Sequence, residues 1–170
     1  MYNGTEKGGG MKENARLGMK KILFVCTGNS CRSVMAEGLF KHMTADRAGE
    51  FSVSSAGISA VDGYPASDQT IRVMKEEGVD VSKHQSRRLT LEMVKSVDRI
   101  YTMEMMHKEF VLRLCPNAAG KVFLLTEFTS QESGANAEID IPDPIQMSDS
   151  FYKNVLFIIH DCIGRIVEGL

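Results

Sequence analysis

The chain has 170 residues, is 43% hydrophobic and carries a net charge of −2. That length suits one domain with a sizeable core, and so slight a charge excludes bulk attraction to nucleic acid or to an anionic membrane, leaving any affinity for phosphate to a local site. No apolar run approaches the roughly 20 residues that span a bilayer, and the polar N-terminus lacks the apolar segment of a secretory signal, so a cytoplasmic protein is expected.

Residues 1–19 (MYNGTEKGGGMKENARLGM) are glycine-rich and aperiodic with internal methionines. They read as a leader, tag or disordered extension, with the folded domain covering residues 20–170. Lys21–Cys26 (KILFVC) predicts a strand, followed by a helix from about Ser33 to Thr44 and a second strand over Glu50–Ala56. A helix over about Ser67–Glu77, closed by Gly78, precedes another over about Thr90–Ser96. A strand at Asp98–Met103, a helix at about Glu104–Leu114 and a strand at Lys121–Leu125 come next. The last helix, about Asp149–Glu168, carries an apolar stripe through Phe151, Val155, Leu156, Ile158, Ile159, Cys162, Ile163, Ile166 and Val167. Strands alternating with helices imply an α/β fold, a parallel sheet wrapped on both faces.

The chemistry concentrates at the end of the first strand. Ligands of open parallel sheets sit beyond the strands' carboxyl ends, and there Cys26 is followed by Thr27, Gly28, Asn29, Ser30, Cys31 and Arg32, which lead into a helix. Unpaired amides and the helix dipole favour an oxyanion at such a junction. The same field is expected to hold the Cys26 thiol well below its ordinary pKa of about 8.5. Arg32 can lay its planar fork over two phosphate oxygens. Gly28 lets the backbone approach the anion, and Asn29 tolerates the left-handed conformation of a tight loop.

The segment VCTGNSCRS, with MAEGLF behind it, resembles the signature of the low-molecular-weight protein tyrosine phosphatases. SSAGIS (Ser54–Ser59), VSKHQSRRLT (Val81–Thr90), YTMEMMH (Tyr101–His107) and PDP (Pro142–Pro144) are similar in order and spacing, so the likeness runs across about Lys20–Leu170. The resemblance implies a three-layer fold with a four-stranded parallel sheet between helices, no metal, no cofactor, and a phosphorylated protein as substrate. It also implies roles for single residues. Alone, the segment IDIPDPI reads as a solvated turn whose prolines restrict the backbone; the family's Asp-Pro pair selects Asp143 over Asp140 as the acid that protonates the leaving group. Asn29, Ser55 and His84 match the network that props the family's loop, although His84 by itself reads as a partly buried structural histidine.

Ser33 is expected to donate to the Cys26 sulfur and to cap the helix. Cys31 could capture a Cys26 sulfenic acid as a reversible disulfide, or merely lend its backbone N–H. Cys115 and Cys162 fall in apolar helical patterns and read as core, whereas Tyr64 and Tyr152 read as exposed. At the pocket mouth, Ser30 stands where many tyrosine-specific members carry a bulky aliphatic residue, and Ile145 and Gln146 stand where aromatics follow the Asp-Pro pair. A phenyl ring gains less from such walls. A small hydroxyl residue at the Ser30 position resembles the phosphoarginine-specific branch, which makes phosphoarginine the rival to phosphotyrosine. Arsenate reductase shares the fold, but Ser67–Ser96 lacks the further cysteines it would use. A metal or redox module built on Cys26 and Cys31 lacks a second closely spaced Cys/His pair.

Overall fold

A computed structural model describes residues 18–128 and 140–170. Most of the N-terminal extension, residues 1–17, lies outside the described residues, and Gly18 and Met19 belong to no element. Strands β1 (Lys20–Cys26), β2 (Phe51–Gly57), β3 (Arg99–Thr102) and β4 (Val122–Leu124) form one sheet in the order β2-β1-β3-β4. All three pairings are parallel, with Cys26 opposite Gly57 at one edge of β1 and Val25 opposite Thr102 at the other. Helices α1 (Arg32–Met43), α2 (Asp68–Glu76), α3 (Leu91–Ser96), α4 (Met105–Leu114) and α5 (Asp149–Glu168) complete the fold. The chain leaves β1 for β2 on one side and later returns to β3 on the other. The loop after β1 therefore opens at the point where the strand order reverses, the usual ligand crevice of such sheets.

Alternation along β1 splits the core into two layers. Ile22 and Phe24 pack with Leu39, Phe40, Tyr152 and Ile159 of α1 and α5. Leu23 and Val25 pack with Val94, Val111 and Val122 on the opposite face. Both faces of β1 are thus covered, which is why its sequence is a continuous apolar run rather than an alternating one. Among the described residues no helix is long and apolar enough to cross a membrane.

The predicted elements are all present, with bounds shifted by at most one residue. Ser67 caps α2 by accepting from Thr70 N–H, and Gly78, at φ 77°, lets Val79 N–H reach back to Met74 O beyond the helix end. The stripe on α5 holds at Val155, Leu156, Ile159, Cys162, Ile163 and Ile166 and needs correction at Ile158 and Tyr152. Its buried residues are Tyr152, Val155, Leu156, Ile159, Cys162, Ile163 and Ile166, which centre on Ile159. Ile158 is rotated about 100° from that centre and is exposed, while Tyr152, read from sequence as exposed, lies close to it and is fully buried. Cys115 and Cys162 are buried as expected.

Candidate active site

Cys26 ends β1 with its side chain almost fully buried, and the loop from Thr27 to Cys31 turns over it into α1. Asn29 makes this turn possible. Its backbone is left-handed at φ 53°, a conformation asparagine tolerates better than most residues. Its buried side chain uses both ends: Nδ2 donates to Ser33 Oγ at 2.9 Å and to Ser55 Oγ at 2.8 Å, and Oδ1 accepts from Arg87 N–H at 2.8 Å. Asn29 O is in turn held by His84 Nε2 at 2.8 Å.

These contacts fix the direction of a chain of hydroxyls. Ser55 Oγ donates to Glu37 Oε2 at 2.5 Å and accepts from Asn29. Ser33 Oγ also accepts from Asn29, so its proton is free for the Cys26 sulfur 2.9 Å away. The sulfur accepts a further hydrogen bond from Asn29 N–H at 3.3 Å. Ser33 does not cap α1. The helix begins at Arg32 with Cys31 at the cap position and no side-chain cap, which leaves the Ser33 proton for the sulfur.

The ionisation of Cys26 differs from the expectation. Burial pushes the thiol up, against the lowering effects of the Ser33 hydroxyl, the Arg32 guanidinium and the backbone N–H groups of Ser33 and Asn29. The net direction is upward because the sulfur is shut from water, and that outweighs the hydrogen bonds and the Arg32 charge. Arg32 is 1% exposed. Its Nη1 pairs with Glu104 Oε1 and donates to Ile141 O at 2.8 Å, and its Nη2 lies 3.0 Å from Asp143 Oδ2. The open fork read from the sequence is therefore closed at one arm by Glu104, with Asp143 seated on the other.

Cys26, Thr27, Gly28, Ser30, Cys31, Arg32, Asp143 and Ile145 line one cavity of about 220 Å³. A shallower hollow of about 390 Å³ shares Gly28, Ser30 and Ile145 and runs out to Val61 and Tyr64, both exposed. A third, of about 340 Å³, lies behind the loop among Glu37, Lys41, Lys83, His84 and Arg87 and does not include the sulfur. Asp143 sits on the segment before α5, with Oδ1 accepting from Ile145 N–H at 3.2 Å. That segment is anchored by the buried Ile141, whose N–H donates to Met103 O at 2.8 Å. Cys31 Sγ points among Ser67 Oγ, Tyr152 Oη and Ser30 Oγ at 3.4, 3.5 and 3.6 Å, and all four cysteines are free thiols. Burial, with the contact to Cys31 adding, pushes the Tyr152 hydroxyl up to about 12.

Three residues of this site carry no role in the sequence reading. Gly57 is one. A Cβ there would lie 2.6 Å from Thr27 O and 2.8 Å from Asn29 N, whereas a Cβ on Gly28 would meet only Ser30 Oγ at 3.6 Å. Glu104 and His107 are the others. His107 Nε2 is 2.8 Å from Thr27 Oγ1, and its Nδ1 accepts from Glu104 N–H at 3.1 Å. Burial, with the Arg32 guanidinium adding, brings the His107 ring down to about 4 despite the nearby carboxylates of Glu104, Asp140 and Asp143. The signal available in the sequence was Glu104-x-x-His107 at a strand-to-helix junction, the spacing of a capping box.

The family model described as low molecular weight phosphotyrosine protein phosphatase matches residues 21–170. The chain belongs to this family. A low molecular weight protein-tyrosine-phosphatase of Acinetobacter johnsonii is 33% identical over 145 residues, covering 85% of this chain and 94% of that protein. A protein-arginine-phosphatase of Geobacillus stearothermophilus is also 33% identical, over 88% of this chain and 95% of its own. Among solved structures, a low molecular weight protein tyrosine phosphatase from T. tengcongensis superposes with a TM-score of 0.80 at 36% identity, covering 89% of this chain and 99% of that one. The loop that follows β1 thus lies on the sheet of a low molecular weight phosphatase.

Proposed function

We propose that the chain is a protein phosphatase that hydrolyses phosphotyrosine through a phosphocysteine on Cys26, acting in the cytoplasm, where its free thiols stay reduced. The observation that carries this reading is the common cavity of Cys26, Arg32 and Asp143. The arriving phosphoryl group competes with Asp143 for Arg32 Nη2, and the amides from Thr27 to Arg32 take up its remaining oxygens. Displacing the carboxylate gives more of the guanidinium's charge to the sulfur and frees Asp143 for the leaving atom.

The Asp143 carboxylate so displaced takes up the proton that the Cys26 thiol gives up, through an oxygen of the bound phosphoryl group, and Cys26 attacks as thiolate. The S–P bond forms as the P–O bond of the substrate breaks, and Asp143 delivers a proton to the departing phenolic oxygen. In the second half Asp143 takes a proton from the attacking water, the S–P bond breaks, and inorganic phosphate leaves. The Ser33 hydroxyl stabilises the departing sulfur in this step. Turnover of p-nitrophenyl phosphate in the presence of chelator, abolished in Cys26→Ser, is the expected result; activity surviving Cys26→Ser would remove the phosphocysteine from the mechanism.

Phosphoarginine is the second reading. Ser30 and Ile145 at the cavity favour it, because neither gives a phenyl ring an aromatic wall, and one relative is a protein-arginine-phosphatase. Initial rates on phosphotyrosine and phosphoarginine peptides decide between the two. Ser30→Ile is expected to shift the ratio of those rates toward phosphotyrosine, since an aliphatic wall desolvates a guanidinium without pairing it.

A further inference from the structure

His107 takes no part in the chemistry above, yet it is wholly buried and touches both the catalytic loop and the residue that holds Arg32. Its two ring nitrogens have different partners, Glu104 N–H on Nδ1 and Thr27 Oγ1 on Nε2. The first decides where the proton is. A backbone N–H can only donate, so Nδ1 holds a lone pair, and a neutral ring with Nδ1 bare carries its hydrogen on Nε2. Nε2–H therefore donates to Thr27 Oγ1. A doubly protonated ring would turn N–H against N–H at Glu104 and set a second cation beside Arg32. The Glu104 carboxylate is paired with Arg32 Nη1. One turn of α4 thus grips both ends of the loop, Thr27 through the ring and Arg32 through the carboxylate.

We propose that His107 is a positioning residue, fixed as the Nε2–H tautomer, which ties Thr27 to the Glu104–Arg32 pair and so sets where the first loop amide and the guanidinium meet the phosphoryl group. The proposal rests on the phosphatase reading. Donors aimed at growing charge act mainly in the transition state, and losing one outright lowers kcat by about 100- to 1,000-fold; loosening the support of one is expected to lower it by about tenfold.

Two variants remove the same bond from opposite ends. His107→Asn retains an acceptor near the Nδ1 position but is too short for Thr27, and Thr27→Val removes the acceptor while leaving the ring in place. Each is expected to reduce kcat on p-nitrophenyl phosphate about tenfold with KM within about twofold, and the double variant to be no slower than the slower single one. Losses that multiply in the double variant, or kcat unchanged in folded single variants, overturn the proposal. A histidine that only fills space would lower the melting temperature and leave kcat alone. The ring's nitrogen resonances at pH 7, read in the wild-type protein, give a second test without turnover: a protonated Nδ1 overturns the proposal even if His107→Asn fails to fold. Wild-type protein inactive on every phosphomonoester would sink the phosphatase reading and this role with it, whereas an active wild type with indifferent variants sinks this role alone.

Discussion

Ser33 is where a single hydroxyl decides the state of the proposed nucleophile. It accepts from Asn29 Nδ2 and so has one proton to give, to the Cys26 sulfur. Ser33→Ala removes the largest of the effects that oppose burial at that thiol. The expected outcome is alkylation of Cys26 by iodoacetamide that needs higher pH, with a rate at pH 7 about tenfold lower. Asp143→Asn acts in the opposite direction. It takes a carboxylate off Arg32, so the alkylation profile is expected to move to lower pH while kcat on p-nitrophenyl phosphate falls about 100-fold or more for want of a proton donor. Its effect on stability is expected to be small, because the Asp143 side chain is 40% exposed. Glu104 is different: it neutralises a guanidinium that is 1% exposed, and Glu104→Ala is expected to lower stability by about 3 kcal/mol in urea unfolding. Cys26, Arg32 and the loop between them are legible as a group because they are neighbours in sequence, and the structure gathers them in one cavity. Glu104 lies 72 residues from Arg32, and nothing local marks it as that arginine's partner. The expected low pKa of Cys26 failed for a related reason: the local signals all favour the thiolate, and the burial that outweighs them comes from the whole fold.

Among the elements, β2 does more than supply an edge to the sheet. Its last residue, Gly57, lies directly beneath the loop, between Thr27 O and Asn29 N, and the next residues, Ile58 and Ser59, donate to Cys26 O and Thr27 O at 2.9 Å each. The end of β2 thus forms the seat on which the loop's backbone rests. Of the three close neighbours of a Gly57 Cβ, two are backbone atoms of that loop and the third is the Ala60 Cβ, and none can rotate away. Gly57→Ala is expected to lower stability by about 2 kcal/mol or more and to depress kcat, while Gly28→Ala, whose Cβ meets only Ser30 Oγ, keeps near wild-type stability; melting curves and p-nitrophenyl phosphate kinetics on the two variants check the contrast. The strands and helices themselves were readable, since Ser67 and Gly78 punctuate α2 and the apolar period marks α5. The face of α5 was misjudged at Ile158 and Tyr152 because the stripe was centred on the aliphatic residues. A tyrosine whose hydroxyl finds Cys31 and Ser67 inside the core has no polar signature in the sequence to say so.

At the scale of the whole molecule, the buried ionisable groups confine stability to a middle range of pH. On the acid side the group is His107, which titrates at about 4 in the fold against 6.5 in the open chain. Below about pH 6.5 the unfolded chain takes up a proton that the native ring refuses, so the unfolded state binds more protons and stability falls with pH. The loss is complete near pH 4 and amounts to about 3 kcal/mol. On the alkaline side the sign reverses. Cys162, on the buried face of α5, is pushed by that burial from 9.0 up to about 12, so above about pH 9 the unfolded chain releases a proton that the native thiol keeps, and stability again falls as pH rises. Urea midpoints measured from pH 4 to pH 10 are therefore expected to trace a plateau between about pH 6.5 and pH 9 with a shoulder lost on each side. The acid shoulder belongs to His107, and the alkaline one to Cys162 together with Cys26, whose thiol burial also raises. His107→Asn is expected to flatten the decline below pH 6.5 and leave the alkaline side unchanged, and Cys162→Ala to reduce the alkaline decline and leave the acid side unchanged. A decline below pH 6.5 that persists undiminished in His107→Asn would mean that the ring is not the proton acceptor of the unfolding reaction.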